Sequence, residues 1–197
     1  MRRLFAICLF CFAANSGAQV TDIAAFRSSC IPTAPVATLS AIVQAESGGN
    51  PNAMQIDFPV ALLKRWHLPQ GTLQLKRQPV TQREALAWLA YFEHHGIYVD
   101  LGLMQVSTAE ARRRGIPVES LLEPCLNLRA GWQILQDAYQ LEMKTYGPGQ
   151  EALKHAISRY NTGDSQRGID NGYLARVMAA LKQSPATTST TIGENRR

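Results

Sequence analysis

The chain has 197 residues, 46% hydrophobic and 18% charged, with a formal net charge of +5. That balance belongs to a folded domain with a real core and excludes a disordered or fibrous chain. The excess positive charge is too small and too scattered for a nucleic-acid surface. The one basic cluster, Arg112-Arg113-Arg114, fits a solvated helix face.

The start of the chain reads as a targeting segment. Met1-Arg2-Arg3 is a basic head, Leu4 to Ala14 an apolar core and Ser16-Gly17-Ala18 a small-residue cut site. The apolar run is shorter than the roughly 20 residues that span a bilayer, and no cysteine follows the cut, so no membrane anchor is expected. Cleavage after Ala18 divides the chain into a signal peptide (1–18), one exported soluble domain (19–183) and a polar, Thr-rich disordered tail (184–197). Loss of Arg2 and Arg3 leaves 18 basic against 15 acidic side chains, a net +3, which favours an anionic polymer as partner. Cys8 and Cys11 leave with the leader. Cys30 and Cys125 remain as an even pair in an oxidising compartment, and a disulfide between them is predicted. Two isolated cysteines without CxxC or HxxxH spacing cannot build a zinc site, and no metal or cofactor is expected.

In chain order, a Pro-rich loop (Pro32, Pro35) leads into a helix from Pro35 to Glu46. Thr33 is its candidate cap, and Leu39, Ile42, Val43 and Glu46 share one face. Ser47-Gly48-Gly49-Asn50-Pro51 stops it. Asn52 to Phe58 and Thr72 to Gln78 alternate as the two strands of a small β-hairpin. Thr81-Gln82-Arg83-Glu84 is a capping box for a helix that runs to Gly96. Ser107-Thr108-Ala109-Glu110 opens a short helix ending at Gly115. Asn127 is a candidate cap for a long helix to Tyr146, closed by Gly147-Pro148. Gln150 to Asn161 follows with Leu153, Ala156, Ile157 and Tyr160 on one stripe, and Gly172 to Lys182 forms the last helix. The fold class is mainly α (α+β), one domain with a small hairpin.

Three residues stand out chemically. Glu46 ends an apolar stripe at the negative end of a helix dipole, with no lysine or arginine within one turn. All three features favour the protonated form that a general acid requires. On helix pattern alone, an exposed glutamate at a frayed end fits better. Gln105, in Gly102-Leu103-Met104-Gln105 after the apolar approach Ile97-Tyr98-Val99, can both donate and accept through one amide, as an N-acetyl group demands. It can equally be a surface residue before a helix. Tyr160, in Tyr160-Asn161-Thr162-Gly163, either completes a core stripe or reaches the carboxyl of Glu46.

Taken together and in order, Glu46-Ser47, Gly102-Leu103-Met104-Gln105 and Tyr160-Asn161 resemble the signature motifs of the soluble lytic transglycosylases, members of the goose-lysozyme-like superfamily. Further blocks look like the VirB-type branch that accompanies type IV secretion and conjugation. They are Ala45 to Pro51, Val99-Asp100-Leu101-Gly102, Pro124 to Gly131, and Asn171-Gly172-Tyr173. The likeness covers about residues 30 to 182. It implies a lysozyme-like fold with the cleft between helices and hairpin, and Glu46 acting first as acid and then as base. It further implies that Ser47 supports the cleft, Met104 lines the sugar site and Gln105 holds an acetamido group. By the same resemblance Tyr160 orients Glu46 or steadies the cationic transition state, and Asn161 and Tyr173 complete the cleft. Arg159 and Trp132 stand where the family commonly has small residues, and Asp57 to Gln78 matches no motif.

Most glycosidases use two carboxyls, but no second acid accompanies these motifs. Asp57, Glu84, Glu93 and Asp100 are better explained by surface solvation or capping. The resemblance therefore implies one-acid cleavage of peptidoglycan glycan strands in the periplasm, forming a 1,6-anhydromuramic end, with type IV secretion or conjugation components as partners. Two alternatives remain open: a muramidase that hydrolyses the same bond, and a non-catalytic wall-binding scaffold protein. Neither nucleic acid nor a membrane is expected as a partner.

Overall fold

The computed structural model describes residues 23–57, 64 and 72–183. The expected signal peptide, its cut site and the polar tail lie outside the described residues, as does most of the segment between the two hairpin strands.

Helix α1 (Ile23–Cys30) lies in a stretch the sequence assigned no element. Its eight residues bury only Cys30, too little of a stripe to show as periodicity. Its position comes from elsewhere: Cys30 is disulfide-bonded to Cys125, 95 residues away, with a Cα–Cα distance of 5.3 Å. Arg129 Nε also donates to the Cys30 carbonyl at 3.0 Å. A cross-link closing so long a loop stabilises by about 4 kcal/mol in the chain-entropy picture. Replacing both cysteines by alanine should therefore lower the denaturant midpoint markedly, while thiol titration of the unaltered protein should find neither Cys30 nor Cys125 free.

Helix α2 (Val36–Ser47) buries Leu39, Ala41, Ile42 and Val43, the stripe its spacing predicts. Thr33 does not cap it. Pro35 occupies the cap position in extended conformation and no side chain caps the helix; a proline there already presets the backbone for helix entry. Gly48, left-handed at φ 60°, closes α2 through its N–H to Gln44 O.

The sheet has four antiparallel strands rather than two, in the order β2-β1-β3-β4: β1 (Met54–Asp57), β2 (Thr72–Gln74), β3 (Tyr98–Leu101) and β4 (Val106–Ser107). The expected hairpin pairs Gln55 with Gln74, but its strands are shorter than the alternation suggested. Strands β3 and β4, with four and two residues, are too brief for a period-two pattern to stand out. Met54, Val99, Leu101 and Val106 are buried on one face. Gln55, Asp57, Asp100 and Ser107 occupy the other, only partly covered.

Between β2 and β3 runs α3 (Gln82–His94). Thr81 Oγ1 accepts from Glu84 N at 3.2 Å, the capping half of the predicted box, while the Glu84 carboxylate accepts from Val80 N at 2.9 Å, one residue before the cap. After β4 come α4 (Thr108–Arg113), capped by Ser107, and a 3-10 turn over Val118–Leu122. The long helix α5 (Pro124–Tyr146) begins earlier than expected, with Pro124 in its first turn. Asn127 therefore does not cap it: the side chain is fully buried inside the helix's first turns. Helices α6 (Gln150–Thr162), α7 (Arg167–Asp170) and α8 (Tyr173–Gln183) complete the described chain. α6 packs along α5, and α8 lies against α2, while Ser47 at the C-terminal end of α2 bonds the turn that follows β3. The class is mainly α with a small antiparallel sheet, in agreement with the lysozyme-like expectation.

Candidate active site

The turn from Gly102 to Gln105 joins β3 to β4 and approaches the end of α2. Gly102 has φ 76°, and a Cβ there would lie 2.7 Å from the Leu121 carbonyl, so only glycine fits. Gln105 is the one described non-glycine residue with positive φ, at 47°; strain of this kind persists where surrounding contacts over-determine it. Those contacts are its own amide Nε2, which donates to Gly102 O at 2.9 Å and Ala53 O at 3.1 Å. Both amide hydrogens are thereby used, and Oε1 remains free to accept.

Asn127 braces the same turn. Its Oδ1 accepts from Met104 N at 2.8 Å, and its Nδ2 donates to Leu101 O at 2.7 Å and Leu121 O at 2.9 Å. Ser47 Oγ lies 2.8 Å from Leu103 O, tying the end of α2 to the turn, and accepts from Gly49 N at 3.2 Å.

Glu46 is only partly exposed, and its Oε1 accepts a 2.5 Å hydrogen bond from the Tyr173 hydroxyl. Burial pushes its pKa from 4.5 up to about 7, partly offset by that hydrogen bond and by the charge of Arg176. The sequence pointed to the absence of a nearby cation within the helix. Packing of α8 on α2 supplies one, with the Arg176 guanidinium 5.4 Å from the centre of the Tyr173 ring.

Two neighbouring residues stand differently from the expectation. The Tyr160 hydroxyl donates to Met104 O at 2.6 Å rather than to Glu46, which leaves of its two expected roles the steadying of the transition state, and Tyr173, expected only to complete the cleft, makes the bond to Glu46. Met104 does not line the sugar site. Its side chain is fully buried, seated in the notch left by Gly131, where a Cβ would come within 2.7 Å of the Met104 sulfur and 3.0 Å of the Tyr160 hydroxyl. Asn161 does face the cleft and accepts from Asn171 Nδ2 at 3.4 Å.

Glu46, Gln105, Tyr160 and Asn161 line a cavity of about 770 Å³. Beyond Glu46 and Gln105 lies a second cavity of about 250 Å³, bordered by Ser47, Asn50 and Gln78. The two cavities share Glu46, Gln55 and Gln105 in their linings. Arg159 forms the cavity's edge: its Nε bonds the buried Glu142 carboxylate at 2.5 Å, and Nη1 donates to Gly163 O at 2.9 Å. The unexpected arginine therefore cross-links α5 and α6. Trp132, the other departure, is partly buried, and its indole nitrogen has no partner among the described residues.

Asp57 and Asp100, expected at the surface, line the same cavity as Glu46. Burial raises both above the ordinary aspartate value. Asp100 reaches about 8, helped by the charges of Asp57 and Glu46. The signal was present in Tyr98-Val99-Asp100-Leu101, whose alternation puts Asp100 opposite the buried face, but it required knowing that this segment is a strand.

A mainly helical domain with a small antiparallel sheet and a protonatable glutamate in a groove fits the lysozyme-like fold class. Within that class, the chain belongs to the transglycosylase SLT domain family, whose model matches residues 24–173. It is 30% identical to Protein virB1 of Agrobacterium fabrum, over 86% of this chain and 64% of that protein. It is 32% identical to Type IV secretion system protein virB1 of Brucella abortus, over 77% and 60%. The chain thus spans less than two thirds of the length of these relatives. No solved structure matches. No described helix is long and apolar enough to cross a membrane.

Proposed function

We propose that the chain is a peptidoglycan lytic transglycosylase that cuts the β-1,4 bond after N-acetylmuramic acid and leaves a 1,6-anhydromuramic end. The observation that carries this is Glu46: a carboxyl held at a pKa of about 7, anchored by Tyr173, lining both of two cavities that share Gln55 and Gln105. Protonated Glu46 donates to the glycosidic oxygen as the C1–O bond breaks, and an oxocarbenium-like centre develops. The substrate's acetamido oxygen can assist from below. Glu46, now a carboxylate, takes the proton of the C6 hydroxyl as that oxygen closes on C1, so no water is consumed. Gln105, with its amide hydrogens already bonded, offers Oε1 to an acetamido N–H. Asn161 contacts the sugar from the opposite wall, and Ser47 and Tyr160 hold the Met104-Gln105 backbone in register.

The names of the relatives support a place beside a type IV secretion or conjugation apparatus, opening the wall locally. The leader-like start supports export to the periplasm, with residues 1–18 removed and 184–197 left as a tail. Mass spectrometry of muropeptides released from purified sacculi tests the chemistry: anhydromuramic ends are expected, and a digest without them would sink the transglycosylase assignment.

Tyr173→Phe removes the hydrogen bond that lowers the Glu46 pKa. The alkaline limb of the pH–rate profile should then move to higher pH, with turnover reduced on the order of tenfold from lost orientation. A limb that moves to lower pH would contradict this assignment.

A further inference from the structure

The reaction proposed above gives no task to two arginines of the cleft. Arg159 lies near the end of α6 and Arg167 at the start of α7, and both line the larger cavity with Glu46 and Asn161. Arg159 is fixed in place. Its Nε donates to Glu142 Oε1 at 2.5 Å and its Nη1 to Gly163 O at 2.9 Å, while Nη2 makes no bond among the described residues. The Glu142 side chain is 4% exposed and that of Arg159 30%, so the pair is anchored in the interior and the guanidinium reaches the groove. A cross-link between α5 and α6 does not by itself call for this, because an apolar pair of like volume holds helices together as well or better. What the ion pair adds is a guanidinium whose orientation is set before anything binds.

Arg167 is exposed, and its guanidinium has no hydrogen-bond or ion-pair partner among the described residues. Its backbone is nonetheless held. Arg167 N and Gln166 N donate to Asp164 Oδ1 at 2.9 and 2.8 Å, and Gly168 N donates to Ser158 Oγ at 2.8 Å. A Cβ on Gly168 would lie 2.6 Å from Ser158 Cα, so α7 rests directly on α6. Asp164 feels both cations. Its carboxyl is held below the usual aspartate value by those two backbone bonds and then by the charges of Arg167 and Arg159, yet it forms an ion pair with neither. On α4, by contrast, Arg113 and Arg114 are engaged by Glu110 and, for Arg114, also by Asp137 at 2.7 Å. Among the described residues, the uncommitted donors of positive charge in this cavity therefore lie on α6 and α7.

We propose that Arg159 and Arg167 form an anion subsite of this cleft, which takes a carboxylate carried on the lactyl arm of a muramic acid residue. This rests on the glycan-cleaving function proposed above. Of the two alternating sugars only muramic acid bears that arm, and its carboxylate is either free or extended into a stem peptide with carboxylates of its own. A planar fork of N–H donors matches a carboxylate in both charge and geometry. The subsite therefore reads the substituent rather than the sugar ring, and it contributes to binding rather than to bond breaking.

Saturation kinetics of the full chain on soluble glycan strands test this. One preparation keeps its stem peptides, a second is stripped by an amidase to leave free lactyl carboxylates, and a third has its stem carboxylates converted to amides. Arg167→Gln should raise KM about tenfold on a carboxylate-bearing strand, the weight of one charge-assisted hydrogen bond, with kcat the smaller change. On amidated strands the variant and the unaltered protein should share one KM. Arg159→Ala would strand the buried Glu142 carboxylate, so Arg159 is tested as Arg159→Gln combined with Glu142→Gln, which removes both charges together. That double variant should show the same dependence on the substrate's carboxylates. A rise confined to intact strands upholds the subsite and assigns the carboxylate to the stem peptide; a rise that persists on stripped strands upholds it and assigns the lactyl group. An unchanged KM for Arg167→Gln on every strand would overturn the subsite and leave the transglycosylase assignment standing. An equal rise on amidated strands would overturn it too, since the arginine would then act through the wall's structure. Failure of the unaltered protein to cut any preparation would remove the glycan-cleaving function itself, and this recognition with it.

Discussion

Glu46→Gln is expected to abolish strand cutting, lowering the rate by about 10³-fold or more, because the amide keeps the shape of the acid but has no proton to give. A zymogram with wall material in the gel checks this: clearing by the unaltered protein and none by the variant is the expected pair, and equal clearing would remove Glu46 from the mechanism. In the unaltered protein, activity should fall as pH rises through about 7, where the acid ionises. The same shift is linked to stability. The native pKa lies above the ordinary value of 4.5, so the native state holds a proton that the unfolded chain releases. Stability from this group is whole below about 4.5 and is lost as pH rises through about 7. The full shift corresponds to about 3 kcal/mol, and the carboxyl's partial exposure reduces it. Glu46→Gln should accordingly be more stable than the unaltered protein at about pH 8, by about 1–3 kcal/mol, and equal to it near about pH 4. Urea midpoints at the two pH values measure this, and a variant less stable at the higher pH would contradict the burial of this acid.

Asn127→Ala is expected to lower stability by roughly 3–5 kcal/mol. The side chain satisfies one backbone N–H and two backbone carbonyls in a fully buried position, and removal strands all three, each at about 1–3 kcal/mol before any water enters. The loss should also be felt in the cleft, because the Met104 N–H it holds lies beside Gln105. Substrate affinity should fall along with the thermal midpoint. A stability change under about 1 kcal/mol would mean the turn supports itself.

These expectations show how differently parts of the chain could be read. The helices carrying Leu39, Ile42 and Val43, or Ala156 and Ile157, follow from a 3.6-residue spacing that survives any tertiary arrangement. The Thr81 cap and the stop at Gly48 are equally local. Asn127 shows the limit: an asparagine near a helix start has the composition of a cap, but Pro124 begins the helix one turn earlier and rotates that side chain inward. Thr33 failed similarly, because Pro35 was already sufficient to start α2. Strands β3 and β4 hold too few residues for alternation to register, so Asp100 passed for a surface residue.

From sequence alone came the helical class, the Cys30–Cys125 pairing, and the ordered motifs containing Glu46, Gln105 and Tyr160, since each depends on local spacing or on residue chemistry. Packing alone decided which tyrosine meets Glu46: Tyr173 lies 127 positions away and reaches it because α8 lies against α2, bringing Arg176 along. Packing likewise placed Asp57 and Asp100 in the groove and withdrew Met104 into the core. Strand register and helix docking choose the face each side chain presents, and both are set by contacts between segments far apart in the chain.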